Sequence, residues 1–172
     1  MNNTNLLAIL EEKDHTKFES FIKGMDIGKV TTEEEAQFFK SAPQDWVAEY
    51  VCVTYPQVTS ERVLMISASA ETLKKSYNLW GFWEENVVWA FLSGTHEVCK
   101  KLITCMTSKP SYEAEKLMLK RNSRELFTMW IEKYKVLSED AEKLLHDDIM
   151  LAQLKSIYIE YQLNEPFRLA PV

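Results

Sequence analysis

Apolar residues recur along this chain at the three- and four-residue spacing that marks one face of an α-helix. Leu126, Trp130 and Tyr134 form one such face, and the same spacing runs through most of the sequence. Short polar segments separate these stretches, and the chain contains only four glycines and five prolines. A β-sandwich rich in turns needs many more of both residues. The pattern therefore predicts an all-α protein of about twelve short helices.

Two copies of one unit stand near the end of the sequence. The letters AEKL occur at Ala114 and again at Ala141, 27 residues later. Tyr134 and Tyr161 are separated by the same distance. A repeat of this length is typical of proteins built from stacked helical hairpins.

The same unit extends back through the chain. Each copy carries an apolar pair four residues apart: Phe18 and Ile22, Val47 and Val51, Leu73 and Tyr77, Val98 and Leu102, Leu126 and Trp130, Leu154 and Tyr158. An apolar anchor lies about nine residues before each pair: Ile9, Phe38, Leu64, Val88, Leu117 and Leu144. This spacing predicts six copies, near 5–30, 31–59, 60–84, 85–110, 111–138 and 139–165.

Polar segments are expected to form the turns of this architecture. The links between the two helices of a copy are predicted at 41–44, 93–97, 120–125 and 146–148. Thr32, Ser60 and Ser138 stand near the start of a copy, each followed by acidic residues. A hydroxyl at such a position accepts a hydrogen bond from a free N–H of the first helical turn.

A helix of about eight to twelve residues is barely stable alone, and a stack of hairpins lets each copy cover the next. In this pattern and period, residues 5–165 resemble the α-solenoid class, to which HEAT, ankyrin and tetratricopeptide proteins belong. The resemblance implies a single-domain scaffold that holds another macromolecule. Residues 166–172 are a C-terminal tail: Pro166 is expected to end the last helix, and Phe167 either folds back over it or lies in a disordered terminus.

Composition narrows the kind of partner. The net charge is −6 and the isoelectric point is about 5.2, whereas nucleic acids and anionic membranes attract basic surfaces. The N-terminal segment has no basic region ahead of its apolar run, and no apolar run approaches the length of a membrane span. Cys52, Cys99 and Cys105 form no pair of the C-x-x-C type. We therefore expect a cytoplasmic protein with reduced thiols and a protein partner, and the sequence leaves its oligomeric state open.

Catalytic signatures are missing from the sequence. His15, His96 and His146 are expected in links, without the spacing of a metal-binding pair. The sequence contains no nucleophile elbow of the G-x-S-x-G type and no glycine-rich phosphate loop. We therefore expect no cofactor, no metal and no catalytic residue.

Two groups of residues are candidates for partner binding. Trp80, Phe82 and Trp83 crowd a short link around Gly81, which predicts that at least one ring is left partly exposed. Acidic residues recur near the start of the copies, at Glu35, Glu61, Glu85, Glu113 and Glu139. Aligned in a stack they would form an acidic stripe, although a glutamate in a first helical turn also has a purely local explanation.

The sequence therefore favours a non-catalytic, protein-binding scaffold or adaptor. A small acidic inhibitor or immunity-type protein, which blocks a basic surface of its target, is the alternative. An enzyme built on a helical-repeat scaffold is a weaker one, because the known nucleic-acid enzymes of that kind need a basic concave face.

Overall fold

A computed structural model of the protein describes residues 5–24, 30–54 and 57–164. The predicted tail at 166–172 lies outside the described residues, as does the end of the first copy. None of the described helices combines the length and the apolar content that a membrane crossing demands.

The described residues fold into α-helices and contain no strand, so the all-α prediction is confirmed. The helices are α1 (Leu6–Glu12), α2 (His15–Lys23), α3 (Thr32–Ser41), α4 (Gln44–Thr54), α5 (Val58–Ser67), α6 (Ala70–Trp80), α7 (Glu84–Ser93), α8 (His96–Cys105), α9 (Tyr112–Lys120), α10 (Arg124–Tyr134), α11 (Glu139–Asp147) and α12 (Ala152–Asn164). A 3-10 turn, Ile149–Leu151, precedes α12.

Side-chain caps explain where most of these helices begin. Eight helices start after a residue whose side-chain oxygen accepts a backbone N–H of the first turn: Asn5, Asp14, Thr31, Ser69, Thr95, Ser111, Ser123 and Ser138. Ser138 caps α11 as predicted, and Thr31 rather than Thr32 caps α3. Ser60 is not a cap, because it is the third residue of α5 and lies in the core.

The helices belong to two compact units, residues 1–86 (unit 1) and residues 87–172 (unit 2). In unit 1, α1, α3 and α5 pack in succession, as do α2, α4 and α6. In unit 2, α8, α10 and α12 pack in succession, and α9 packs on α11. These pairs are helices two apart along the chain, and such pairs pack on each other in a stack of hairpins. The single-domain organisation stays a prediction.

Aromatic rings fill the core of both units. In unit 1 the ring of Phe18 stacks on Trp46 at 4.7 Å between centroids and lies 5.6 Å from Phe38. In unit 2, Trp130 meets Phe91 edge to face at 5.6 Å. Such pairs add about 0.5–1.5 kcal/mol beyond the area that they bury.

Three of the predicted apolar anchors are displaced from the core. Ile9, Phe38 and Leu64 are fully buried, whereas Val88, Leu117 and Leu144 are only half-buried. Their neighbours Val87, Met118 and Leu145 occupy the core instead. The spacing between the first helices of successive copies is not constant, so a core position that is predicted from the preceding copies is displaced by one residue.

Gly94, which follows α7, is held against the helix that it ends. A methyl group at this position would lie 2.5 Å from the carbonyl oxygen of Ala90, too close for any real Cβ contact. The guanidinium of Arg121 donates to the carbonyls of Phe91, Ala90 and Gly94 at 2.7, 3.2 and 2.5 Å. Arg121, which follows α9, thus supplies a hydrogen-bond donor to three carbonyls at the C-terminal end of α7.

Gly94→Ala is expected to lower the free energy of unfolding by about 1–3 kcal/mol, because the backbone must move and disturb the Arg121 contacts. Urea denaturation of the purified variant measures this loss. Gly24→Ala is the matched control, since a methyl group there meets its nearest atom at 3.6 Å. Equal stability of the two variants would contradict the packing described for Gly94.

Candidate functional site

The predicted aromatic candidates surround a rigid link between α6 and α7. Trp80 ends α6 and is 40% exposed, and Trp83 precedes α7 and is 37% exposed. Leu79, which the sequence did not single out, is 54% exposed beside them. We call Leu79, Trp80 and Trp83 the aromatic surface. Gly81 makes the turn possible, because its φ of +69° lies in a region that other residues rarely adopt.

Phe82 points the other way and helps to hold the link. It is half-buried, and its ring lies 5.1 Å from that of Tyr77 in the preceding helix. The place of Tyr77 in the repeat predicted a core position, but Tyr77 is only half-buried. Phe82 therefore supports the aromatic surface and contributes less of its own ring to solvent.

The far side of the link is fixed by a carboxylate. The backbone N–H of Trp83 donates to Oε1 of Glu61 at 2.8 Å, and Nδ2 of Asn86 donates to the same oxygen at 2.9 Å. Asn86 is fully buried, donates to the carbonyl of Val58 at 3.1 Å and accepts from Nε of Arg62 at 2.7 Å. The start of α7 is thus bonded to α5 at several points.

Burial raises the pKa of the Glu61 carboxyl above its usual value, although the hydrogen bonds from Asn86 and Trp83 act in the opposite direction. A small cavity of about 10 Å³ lies beside this carboxyl, lined also by Phe39, Thr54 and Ser60. A space of that size is at the limit for one water molecule. Burial therefore disfavours the charged form of this half-buried carboxyl.

Glu61 belongs to a recurring set that we call the connectors: Glu35, Glu61 and Glu115, each the fourth residue of its helix. Glu35 accepts hydrogen bonds from the hydroxyl of Tyr50 at 2.8 Å and from that of Ser60 at 2.7 Å. Burial, together with Glu35, raises the pKa of Tyr50, so its hydroxyl remains a donor. Glu35 thus bonds both to the second helix of its own hairpin and to the first helix of the next.

Glu115 repeats this arrangement in unit 2 with more donors. Its Oε1 accepts from the backbone N–H of Ser138 at 3.1 Å and from the Ser138 hydroxyl at 2.5 Å. Its Oε2 accepts from Nε1 of Trp130 at 3.1 Å and pairs with Nζ of Lys109 at 2.8 Å. The side chain is completely buried, and each of these contacts with its oxygens comes from a hydrogen-bond donor.

Copy three lacks one of these donors. Tyr50 and Trp130 each stand 15 residues after their connector, and the corresponding residue after Glu61 is Ser76. Ser76 is 2% exposed, and among the described residues its hydroxyl meets no hydrogen-bond partner. A serine side chain is shorter than tyrosine or tryptophan, which leaves Glu61 with both of its bonds on Oε1.

The predicted acidic stripe was wrong for Glu35, which is 7% exposed and faces the core. Glu61 is half-buried. The side chain of Glu85 is 68% exposed and lies 3.6 Å from Arg62, and that of Glu113 is 60% exposed and pairs with Lys116. Glu139 is exposed at the start of α11. The five glutamates near the starts of the copies are therefore divided between the interior and the surface.

The histidines lie in helices, although the sequence placed them in links. His15 and His96 are the first residues of α2 and α8, and His146 is in the last turn of α11. His96 contacts Glu125 at 2.9 Å, and His146 lies 3.9 Å from Glu142. Cys99 and Cys105 are buried, whereas Cys52 is exposed on α4.

A shallow groove of about 580 Å³ in unit 2 is a second concave surface. Its lining comes from α10, from α12 and from Lys135, which directly follows α10, and it includes Ile131, Ile157 and Tyr161. Its aromatic content is limited to the half-buried ring of Tyr161. The aromatic surface of unit 1 remains the stronger candidate, because tryptophan is the residue most enriched among binding hot spots.

Comparison of this chain with protein-family models, with curated proteins and with solved structures found no match. The function proposed below is therefore argued from the residues of this chain and their contacts.

Glu61→Gln and Glu115→Gln are expected to differ although the two residues hold the same position. Glutamine keeps the single acceptor oxygen that Glu61 uses and removes a buried charge. At Glu115 its amide group must face donors on either side, which is expected to cost about 2–4 kcal/mol. Urea denaturation at pH 7 measures both changes. Glu113→Gln is the exposed control and is expected to change stability by less than about 0.5 kcal/mol.

The effect of Glu61→Gln is also expected to depend on pH. Because the folded-state pKa of Glu61 is raised, the wild-type carboxyl stabilises the fold below its unfolded pKa, near the ordinary value of 4.5. That contribution is lost as the pH rises through the folded pKa. The variant should therefore gain stability relative to wild type between pH 4 and pH 7, and a constant difference across this range would show that the charge of Glu61 is not the cause.

Proposed function

We propose that this chain is a non-catalytic helical-repeat scaffold or adaptor that binds a protein partner through the aromatic surface of unit 1. The observation that carries the proposal is the exposure of Leu79, Trp80 and Trp83 on a backbone that is fixed on both sides of the link. A monomeric protein exposes single apolar residues routinely, but adjacent large ones point to contact with another molecule.

Rigidity makes these side chains effective anchors. The N–H of Gly81 donates to the carbonyl of Tyr77 at 2.7 Å, and that of Trp83 is held by Glu61. The partner therefore meets rings whose backbone is already ordered, and little conformational entropy is lost on binding. A tryptophan anchor of this kind commonly contributes about 2 kcal/mol or more to the affinity.

Charge indicates what surrounds the anchors on the partner. Glu84 and Glu85 directly follow Trp83 and are exposed. A partner with an apolar pocket and a basic rim matches this surface, and the opposite charges accelerate association. The short protein segment or pocket that binds here is thus expected to carry lysine or arginine beside its apolar centre.

The acidic inhibitor and the helical-repeat enzyme stay predictions. The inhibitor depends on exposed acidic residues, and the burial of Glu35 removes one of the five that were proposed. The scaffold is supported better because the aromatic surface offers apolar contacts that a purely electrostatic inhibitor does not need.

Replacement of both rings, Trp80→Ser with Trp83→Ser, is expected to abolish partner binding. The two residues are 40% and 37% exposed, so circular dichroism of the variant first confirms that it is folded. Affinity capture from the native cell with wild type and variant as baits, followed by quantitative mass spectrometry, measures the partner retained. We expect at least a 30-fold loss, about the effect of one hot-spot residue. Ile159→Ser is the control, since Ile159 is an apolar residue of unit 2 whose exposure, 42%, is close to that of the two tryptophans.

Equal recovery of the same proteins by all three baits, or no enrichment over blank resin, would count against the proposal. Washing with about 0.5 M NaCl separates the two binding functions, because that concentration screens exposed charges strongly. A partner held through the aromatic surface stays bound, and a partner of an acidic inhibitor is released.

A further inference from the structure

Helices α2 and α4 of unit 1 bring together an imidazole and two carboxylates. Nε2 of His15 lies 2.9 and 3.1 Å from the two oxygens of Glu49, and Nδ1 lies 3.7 Å from Oε1 of Glu19. One ligand atom from each of the three residues can be chosen so that all lie within 4.8 Å of one another. The cluster therefore combines one nitrogen and two oxygen donors in one small volume.

The fold holds these three residues in place from below. His15 and Glu19 stand one turn apart on α2, so their side chains share a face of the helix. Phe18 lies between them in sequence and is fully buried, which fixes the rotation of α2 against its neighbours. The imidazole also contacts the ring of Trp46 at 5.5 Å between centroids. Because α2 packs on α4, Glu49 reaches the cluster from the second hairpin.

The charge of the cluster favours a cation. Two carboxylates face one imidazole, and Asp45, one turn before Glu49 on α4, adds a further negative charge nearby. Lys75 pairs with Asp45 and offsets part of that charge. The side chains of His15, Glu19 and Glu49 are 45%, 46% and 36% exposed, which leaves a path for an ion and for water.

We propose that His15, Glu19 and Glu49 bind a divalent transition-metal ion, with Zn²⁺ the best match and water completing the coordination. Zinc accepts imidazole nitrogen and carboxylate oxygen at about 2.0–2.2 Å in tetrahedral sites. Donor atoms around such an ion stand about 3.4 Å apart, a spacing that rotation of two partly exposed carboxylates can reach. Mg²⁺ and Ca²⁺ prefer donor sets made of oxygen alone.

Binding of the ion joins the first hairpin to the second. In its absence the imidazole forms the same bridge less firmly, since each of its contacts with the two carboxylates is a partly exposed ion pair, which contributes little in water. Zn²⁺ therefore raises the stability of unit 1 by an amount that grows with the logarithm of its free concentration. This inference does not depend on the proposed partner surface.

The test is titration of the full chain with ZnCl₂ by isothermal calorimetry at pH 8, where protons compete less with the metal for the imidazole than they do at neutral pH. Wild type is expected to bind one equivalent at this site. His15→Ala and Glu19→Gln are each expected to weaken that binding at least about tenfold. Glu19→Gln is the informative variant, because without a metal Glu19 makes only a long, exposed contact with His15 and its loss should not disturb the fold.

His96→Asn is the matched control. His96 also begins a helix and contacts a carboxylate, Glu125, at 2.9 Å, and its side chain is 43% exposed. This variant should bind Zn²⁺ as wild type does. In parallel, NMR of the histidine ring protons should show that Zn²⁺ shifts the signals of His15 and not those of His96.

Three results would overturn the proposal. The first is no Zn²⁺ binding by wild type, and the second is undiminished binding by both His15→Ala and Glu19→Gln. The third is an equal loss of binding in His96→Asn, which would place the ion elsewhere on the chain. Circular dichroism of each variant confirms that it is folded before titration.

Discussion

The stacking of hairpins in this protein depends on a carboxylate at the fourth position of α3, α5 and α9 that is fully or partly removed from water. Glu35, Glu61 and Glu115 each accept hydrogen bonds from the start of the hairpin that follows: from Ser60, from Trp83 and Asn86, and from Ser138. A carboxylate removed from water must find donors or lose several kcal/mol. The next hairpin is therefore held to hydrogen-bond accuracy, which apolar packing alone does not impose. Glu142 holds the equivalent position in α11, and its side chain is 41% exposed.

The aromatic surface is a consequence of the second connector. Glu61 holds the N–H of Trp83 and the amide of Asn86, so the link between α6 and α7 is anchored from inside while its rings face outward. The same carboxyl carries a raised pKa and lacks the donor that Tyr50 and Trp130 provide elsewhere. The order of the link and the raised pKa of the carboxyl that supports it thus both follow from the position of Glu61. In the proposed function, this ordered link presents the rings of Trp80 and Trp83 to the partner.

The sequence could predict the helices and their period, because these depend on local spacing and on a 27-residue repeat that is visible at Ala114 and Ala141 and at Tyr134 and Tyr161. It could not predict which glutamate of a helix faces inward. Glu113 and Glu115 both lie in the first turn of α9, and the packing of that helix, which the sequence does not show, buries the second of them. For the same reason the anchors at Leu117 and Leu144 were one residue early. Nor could it bring His15 to Glu49, since 34 residues and two turns separate them. Trp80 and Trp83 were accessible to sequence reasoning because three large rings cannot all fit inside a four-residue link.

A double-mutant cycle on Glu35 and Ser60 tests most directly whether the connectors join consecutive hairpins. The Ser60 hydroxyl donates to Glu35 at 2.7 Å and does not cap a helix, so Ser60→Ala removes this bond with few other effects. Free energies of unfolding are measured for wild type, Glu35→Ala, Ser60→Ala and the double variant. We predict a coupling energy of about 1.5–3 kcal/mol, the range for a hydrogen bond to a charged group. Additivity within about 0.3 kcal/mol would contradict the account.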